Sequence, residues 1–276
     1  MSKRTVVVVL VALVSMLLVP PPAGRAEPSQ ESKKDKPIRA LLICGGCCHD
    51  YAHQKDILSK GISDRVGFTV DWTIENEGTD RNHKHSIYSK PEWWKGYDVI
   101  VHDECFGYVD DVPFVEGIVK AHEEAHLPIV ALHCSLHSYR MAKTMAWSEM
   151  LGIRSFQHDK KAPIAVTFVA KDNEIVKGLE DWTTPDDELY NNVKVYDKTV
   201  PLAKGKQKQA KGEIESIVAW TSEFKGNRVF CTTLGHGNDT VGDARYLNLV
   251  TRGLLWALNK PIELKPVAPK ADSASK

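Results

Sequence analysis

The chain has 276 residues, with 36 basic and 36 acidic side chains and a formal net charge of zero. That balance supplies no overall field for nucleic acid or an anionic membrane surface, and neither is expected as a partner. The length suits one large domain that can bury a core without covalent staples.

Residues 1–26 read as a cleaved export signal. Lys3 and Arg4 precede the apolar run Val6–Val19, and Gly24-Arg25-Ala26 ends in small residues suited to cleavage. The run is shorter than the roughly 20 apolar residues of a spanning helix. The expectation is an exported protein, periplasmic or extracellular, with no membrane anchor after cleavage. Residues 27–37 read as a disordered linker, 38–260 as the folded domain and 261–276 as a disordered tail.

Ile38–Cys44 is a nearly continuous apolar run closed by Gly45-Gly46, the pattern of a strand buried on both faces. Gln54–Val66 is expected to be helical, Phe68–Ile74 a second strand and Tyr97–His102 a third. Val112–His126 is expected as a helix with Pro113 in its first turn, and Pro128 stops it before the strand Ile129–His133. A helix over Tyr139–Leu151 ends near Gly152. Short strands are expected at Ala165–Ala170, Val193–Tyr196, Ile217–Trp220 and Val229–Thr233, with the basic run Lys204–Lys211 a solvated loop. A final amphipathic helix carries Tyr246, Leu249, Val250, Gly253, Leu254 and Ala257 on one face, with Asp243 as its cap. Alternating strands and helices in the first half predict a parallel sheet with helices on both faces, and the second half an antiparallel edge.

Four expected strands end in polar groups at what would be one rim. They supply Gly45-Gly46 with His49 and Asp50, then His102-Asp103-Glu104, then His133 with His137, and finally Gly235-His236. At the third of these a tight strand-to-helix turn raises one side chain, and such a turn needs small residues two positions on either side. Ala131 and Ser135 meet that need for His133, whereas Leu132 and Leu136 would flank Cys134. His133 is therefore the expected apex residue. The Gly45 and Gly46 N–H groups are candidates for steadying an oxyanion. Acid–base chemistry and metal binding both suit these residue types; His102, His133 and His137 are the candidate ligand set for a divalent metal such as zinc. Trp93-Trp94 and Arg140 are read as packing and ion-pair groups. Six cysteines leave a disulfide open, and Cys44-x-x-Cys47 is not expected to be a redox pair because Cys44 closes a strand.

Taken together, Cys44-Gly45-Gly46 before His49-Asp50, Ala131-Leu132-His133-Cys134-Ser135, Asp187-Glu188-Leu189-Tyr190 and Arg228-Val229-Phe230 with Leu234-Gly235-His236 resemble the trehalose-utilisation (ThuA-like) family. The resemblance spans about residues 38–260 and implies an α/β, flavodoxin-like three-layer sandwich with a mostly parallel central sheet, the class I glutamine amidotransferase-like fold. It implies carbohydrate catabolism on a sugar or keto-sugar supplied by a partner sugar dehydrogenase, and it raises Glu188 and His158 as site residues. The superfamily's cysteine nucleophile is replaced by His133, so glutamine amidotransferase activity is not expected. The leading expectation is isomerisation, epimerisation or elimination by His133, His102, His236, Glu104 and Glu188, with Gly45, Gly46, His49, Asp50 and His158 binding substrate. A non-catalytic carbohydrate-binding protein and a metal-dependent hydrolase are the alternatives.

Overall fold

The computed structural model describes residues 36–210 and 212–267. The apolar segment Val6–Val19, read above as an export signal, lies outside them. The expected linker 27–37 and tail 261–276 also lie largely outside.

The elements run β1 (Ile38–Gly46), α1 (Tyr51–Ser63), β2 (Val70–Asn76), β3 (Val99–Cys105), α2 (Val112–Ala125) and β4 (Ile129–Leu132). They continue with α3 (Ala146–Leu151), β5 (Ile153–Arg154), β6 (Ala162–Phe168), β7 (Trp182–Asp187) and β8 (Lys194–Val195). The last are β9 (Val200–Gln209), β10 (Gly212–Phe224), β11 (Asn227–Thr232), α4 (Asn238–Val241) and α5 (Ala244–Ala257). One nine-stranded sheet has the order β2-β1-β3-β4-β11-β10-β9-β6-β7, and β5 and β8 form a separate pair. From β2 to β11 every neighbouring pair is parallel; from β11 to β7 every pair is antiparallel.

Side chains alternate across the central strands and divide the core. Ala40, Leu42 and Cys44 of β1 face α1 and α5, where Leu58, Ile62, Leu249 and Leu254 are buried. Leu41 and Ile43 face α2 and α3, meeting Val115, Ile118, Trp147 and Met150. Helices thus cover both faces, giving three layers. Gly253 of α5 lies so close to β11 that a Cβ there would stand 2.4 Å from the Phe230 ring. Among the described residues no helix is long and apolar enough to cross a membrane.

Three expectations need correction. The stretch Tyr139–Leu151 is not one helix: His133–His137 form a 3-10 turn, Tyr139 has φ 59°, and only Ala146–Leu151 is α-helical. The basic run from Lys204 is not a loop. It lies in β9, where Lys204 and Lys206 ion-pair with Glu215 across the antiparallel partner β10. Alternating lysines leave Ala203, Gly205 and Gln207 buried, a period-two pattern that the charge count obscures. Lastly, only Lys194–Val195 of Val193–Tyr196 pairs as a strand, and outside the main sheet.

Candidate functional site

The carboxyl ends of β1, β3, β4 and β11 lie side by side, and the end of β7 reaches the β11 loop through Asp187. His133 occupies the apex after β4, with φ 42°, a region that side chains other than glycine enter only when their surroundings hold them there. Ala131 and Ser135 are fully buried at its flanks, and the Ser135 hydroxyl donates to Leu132 O at 2.8 Å, closing the turn. His133 Nδ1–H donates to Thr233 O at 2.6 Å. That bond fixes the tautomer and aims the Nε2 lone pair at the cleft. There Nε2 meets the Tyr190 hydroxyl at 3.4 Å and Glu188 Oε2 at 3.4 Å.

Two more imidazoles complete the cluster. The His49 ring stands 4.7 Å, centroid to centroid, from both His133 and His236. His49 Nδ1–H donates to His236 O at 3.3 Å, again leaving Nε2 with its lone pair free. His236 Nδ1 lies 3.0 Å from Glu188 Oε1, but it is buried and without an aligned hydrogen-bond partner; Nε2 is 3.1 Å from Lys161 Nζ. The backbone bearing His236 is pinned from two sides. Asp187 accepts from Gly235 N at 3.0 Å and His236 N at 3.2 Å, and Gln54 Nε2 donates to His236 O at 3.1 Å.

The electrostatics follow from burial and one carboxylate. Burial, then the neighbouring His133 and His236, pull His49 down to about 2, so it is a neutral lone-pair donor. Burial also opposes charge on His133, yet Glu188 and Asp187 outweigh it and the net shift is upward. Burial would raise Glu188, but the adjoining His133 and His236 rings hold it well below the usual carboxylate range. His158, at the mouth, places Nε2 3.4 Å from Glu188 Oε2.

One ligand atom each from His49, His133 and His236 lie within 4.8 Å of one another, a spread that a single cation spans. Two lone pairs preset by backbone bonds, an orphaned His236 Nδ1 and an adjoining carboxylate fit the donor set of a divalent metal of the zinc type. The expected set was His102, His133 and His137, and the structure replaces two of its three members. His137 stacks on Tyr190 at 3.6 Å and 2°, and its Nε2 bonds Ser155 Oγ at 2.7 Å. His102 points into the layer beneath α2, where Nδ1–H donates to Glu104 Oε1 at 3.0 Å and Nε2 meets His122 Nε2 at 2.9 Å. Both His102 and Glu104 are fully buried, and the Tyr88 hydroxyl donates to Glu104 at 2.7 Å. Strand alternation turns both away from the rim.

The glycines also have another task. Gly46 N already donates to Gly78 O at 3.0 Å, and a Cβ at Gly46 would stand 2.3 Å from Cys105 O. A Cβ at Gly45, where φ is +124°, would stand 2.0 Å from Glu77 O. They let neighbouring backbone approach, and the Gly46 N–H is not free for an oxyanion. Asp50 accepts from His53 Nδ1 at 2.8 Å and Asn238 Nδ2 at 2.7 Å, tying the β1 and β11 loops together.

Sequence reasoning gave no role to Lys161 or to Asp187, the buried support of the His236 loop. Tyr190 entered only as part of a family motif. The usable signal was β7 itself, whose alternating burial ends with Asp187 and Glu188 both turned inward. The cysteines add a disulfide Cys105–Cys134 and a vicinal disulfide Cys47–Cys48, while Cys44 and Cys231 are buried free thiols. Cys134 is paired with Cys105, and His133 stands at the apex beside it.

A sequence profile described as trehalose utilisation, ThuA, matches residues 39–257. Curated proteins return no match. Among solved structures, a ThuA-like protein from Parabacteroides merdae superposes with a TM-score of 0.65 at 19% identity, covering 85% of this chain and 94% of that one. A GMP synthase component from Thermoplasma acidophilum reaches 0.47 at 12% identity over 80% and 96% of the two chains. The glutaminase domain of Trypanosoma brucei CTPS reaches 0.44 at 11% over 86% and 98%. The sheet and its helical layers are shared with the ThuA-like structure, and the chain belongs to the ThuA family of trehalose utilisation, with a carbohydrate-related role.

Proposed function

We propose that this protein is an enzyme that moves a proton next to the carbonyl of a sugar or keto-sugar, catalysing isomerisation, epimerisation or elimination. The observation that carries the reading is His133: its Nδ1 proton is committed to Thr233 O and its Nε2 is turned to a cleft shared with His49, His236 and Glu188. Histidine is the side chain best suited to proton transfer near neutral pH.

His49, His133 and His236 would hold a divalent cation, which when bound supplies Lewis-acid polarisation of a substrate carbonyl or hydroxyl. His133 Nε2 is then a ligand, and Glu188, held ionised beside it, is the group left to take the substrate proton; without the cation His133 itself takes it. The chain's own groups do the rest. Glu188 keeps the His133 and His236 rings oriented and offsets positive charge that collects between them. Tyr190, whose hydroxyl burial keeps protonated, can donate a hydrogen bond to a substrate oxygen. His158 is the one ring of the set at the mouth, and through Glu188 it can pass a proton between the cleft and solvent. The proposed setting is outside the cytoplasm, on a keto-sugar delivered by a sugar dehydrogenase.

The test is hydrogen exchange. Keto-disaccharides and their unoxidised parents would be incubated with protein in heavy water and followed by NMR. The reading expects deuterium next to the carbonyl of a keto-sugar, lost in His133→Ala and Glu188→Gln. Binding without exchange for any substrate would leave a carbohydrate-binding protein. Cleavage without exchange would favour metal-dependent hydrolysis, for which three histidines and an open position are also suited.

A further inference from the structure

Four of the six cysteines gather beside the histidine cluster, and the proposed proton transfer uses none of them. Cys105 ends β3, Cys134 follows the apex histidine, and Cys47 and Cys48 precede His49. In the oxidised state they close as Cys47–Cys48 and Cys105–Cys134. Yet the two bridges touch: Cys47 Sγ lies 3.8 Å from Cys105 Sγ. One ligand atom each from His49, Cys105 and Cys134 also lie within 4.8 Å of one another. The Arg81 guanidinium is aimed at the outer pair, with Nε 3.2 Å from Cys47 Sγ and Nη2 3.4 Å from Cys48 Sγ.

We infer that reduction of these bridges opens a second metal site, in which Cys47, Cys105 and Cys134 with His49 hold one thiophilic cation of the zinc type. With metal–sulfur bonds of about 2.3 Å, a tetrahedral site sets its sulfurs about 3.8 Å apart. Cys47 and Cys105 already stand at that separation. Three cysteines and one histidine are a closed structural zinc set. Each disulfide takes two electrons and two protons from a small dithiol, which itself closes to a disulfide. Binding then displaces the three thiol protons. Cys48 remains as an exposed free thiol.

The site shares His49 with the three-histidine centre, so the two compete for that ring. Reduction would draw His49 to the sulfurs, and oxidation would return it. Only this competition rests on the function proposed above; the thiolate site stands without it.

The test uses full-length protein reduced with excess dithiol, stripped by chelator, freed of both reagents, checked for free thiols and titrated anaerobically with cobalt(II). The expected result is one cobalt per chain with a thiolate-to-metal charge-transfer absorption that zinc abolishes. The oxidised protein should lack that band, and so should a Cys105→Ser, Cys134→Ser double variant. If the double variant unfolds, Cys47→Ser on the half-exposed loop decides the matter, with at least tenfold weaker binding expected. His133→Ala should keep the band, which separates this site from the three-histidine centre. Fully reduced protein with no such band, or a band unchanged in the cysteine variants, would overturn the inference.

Discussion

The chain contains two buried groups of histidine with glutamate, and they behave in opposite ways. In the rim group, His133 and His236 flank Glu188 with the His49 ring against both, and the His49 Nε2 lone pair remains uncommitted. In the interior group, His102, His122 and Glu104 satisfy one another beneath α2, with Tyr88 closing the carboxylate. Both draw on strands that end at one sheet edge. What separates them is direction: His102 and Glu104 occupy alternate positions of β3 on the face turned to α2 and α3, whereas His133 stands at a turn beyond its strand. Proximity to a sheet edge is therefore a weaker guide to function than the way a side chain leaves the backbone.

That contrast breaks if the two groups respond alike to substitution. The largest effect is expected at the rim. His133→Ala should lower turnover on the order of 10²–10⁴-fold, as for loss of a group that moves the proton or holds the cation beside it, while the melting temperature stays near that of the wild type. Steady-state kinetics alongside thermal unfolding checks both halves. Next comes Glu104→Ala, which strands His102 in a dry layer and should cost about 3–5 kcal/mol of stability by denaturant unfolding. The folded fraction should keep its turnover per site. Gly253→Ala tests the layer that supports the β11 end of the rim; forcing a methyl against Phe230 should cost about 1–3 kcal/mol.

A smaller, pH-linked effect sharpens the comparison. His49 at the rim, His122 in the interior and His137 against Tyr190 are all held below the ordinary histidine range, each chiefly by burial. The unfolded chain takes up protons at these rings below about pH 6.5 while the folded chain does not. Stability is therefore lost as pH falls through that value, by up to about 1.4 kcal/mol per pH unit for each ring. Glu104 and Glu188, held below the usual carboxylate range, begin to add to the loss only nearer pH 4–5. Denaturant midpoints from pH 7.5 to 5.5 should fall less steeply in His122→Asn than in wild type; equal slopes would mean that ring is not held neutral.

Much of the fold was legible because it rests on long apolar runs. Ile38–Cys44, Val112–His126 and the final helix differ from the observed elements by a few residues at most. The β9 strand was hidden because its lysines answer glutamates on β10, a pairing distant in sequence. At the site, the apex position of His133 was readable from the two small flanking residues, and His236 from its place after a late strand. The partnership of His133 with His49 in place of His102 was not readable. Strand periodicity assigns a residue to a face, but which face carries the rim depends on where the helices pack. Asp187 escaped for a related reason, since its role is to hold Gly235 and His236, 48 and 49 positions further along the chain.

The most direct measurement is elemental analysis of purified protein, comparing wild type with His133→Ala and His122→Ala. The account predicts close to one divalent metal ion per chain in wild type and His122→Ala, and its loss in His133→Ala. Metal retained in His133→Ala, lost equally from both variants, or absent from all three after zinc supplementation would contradict a metal-holding rim centre.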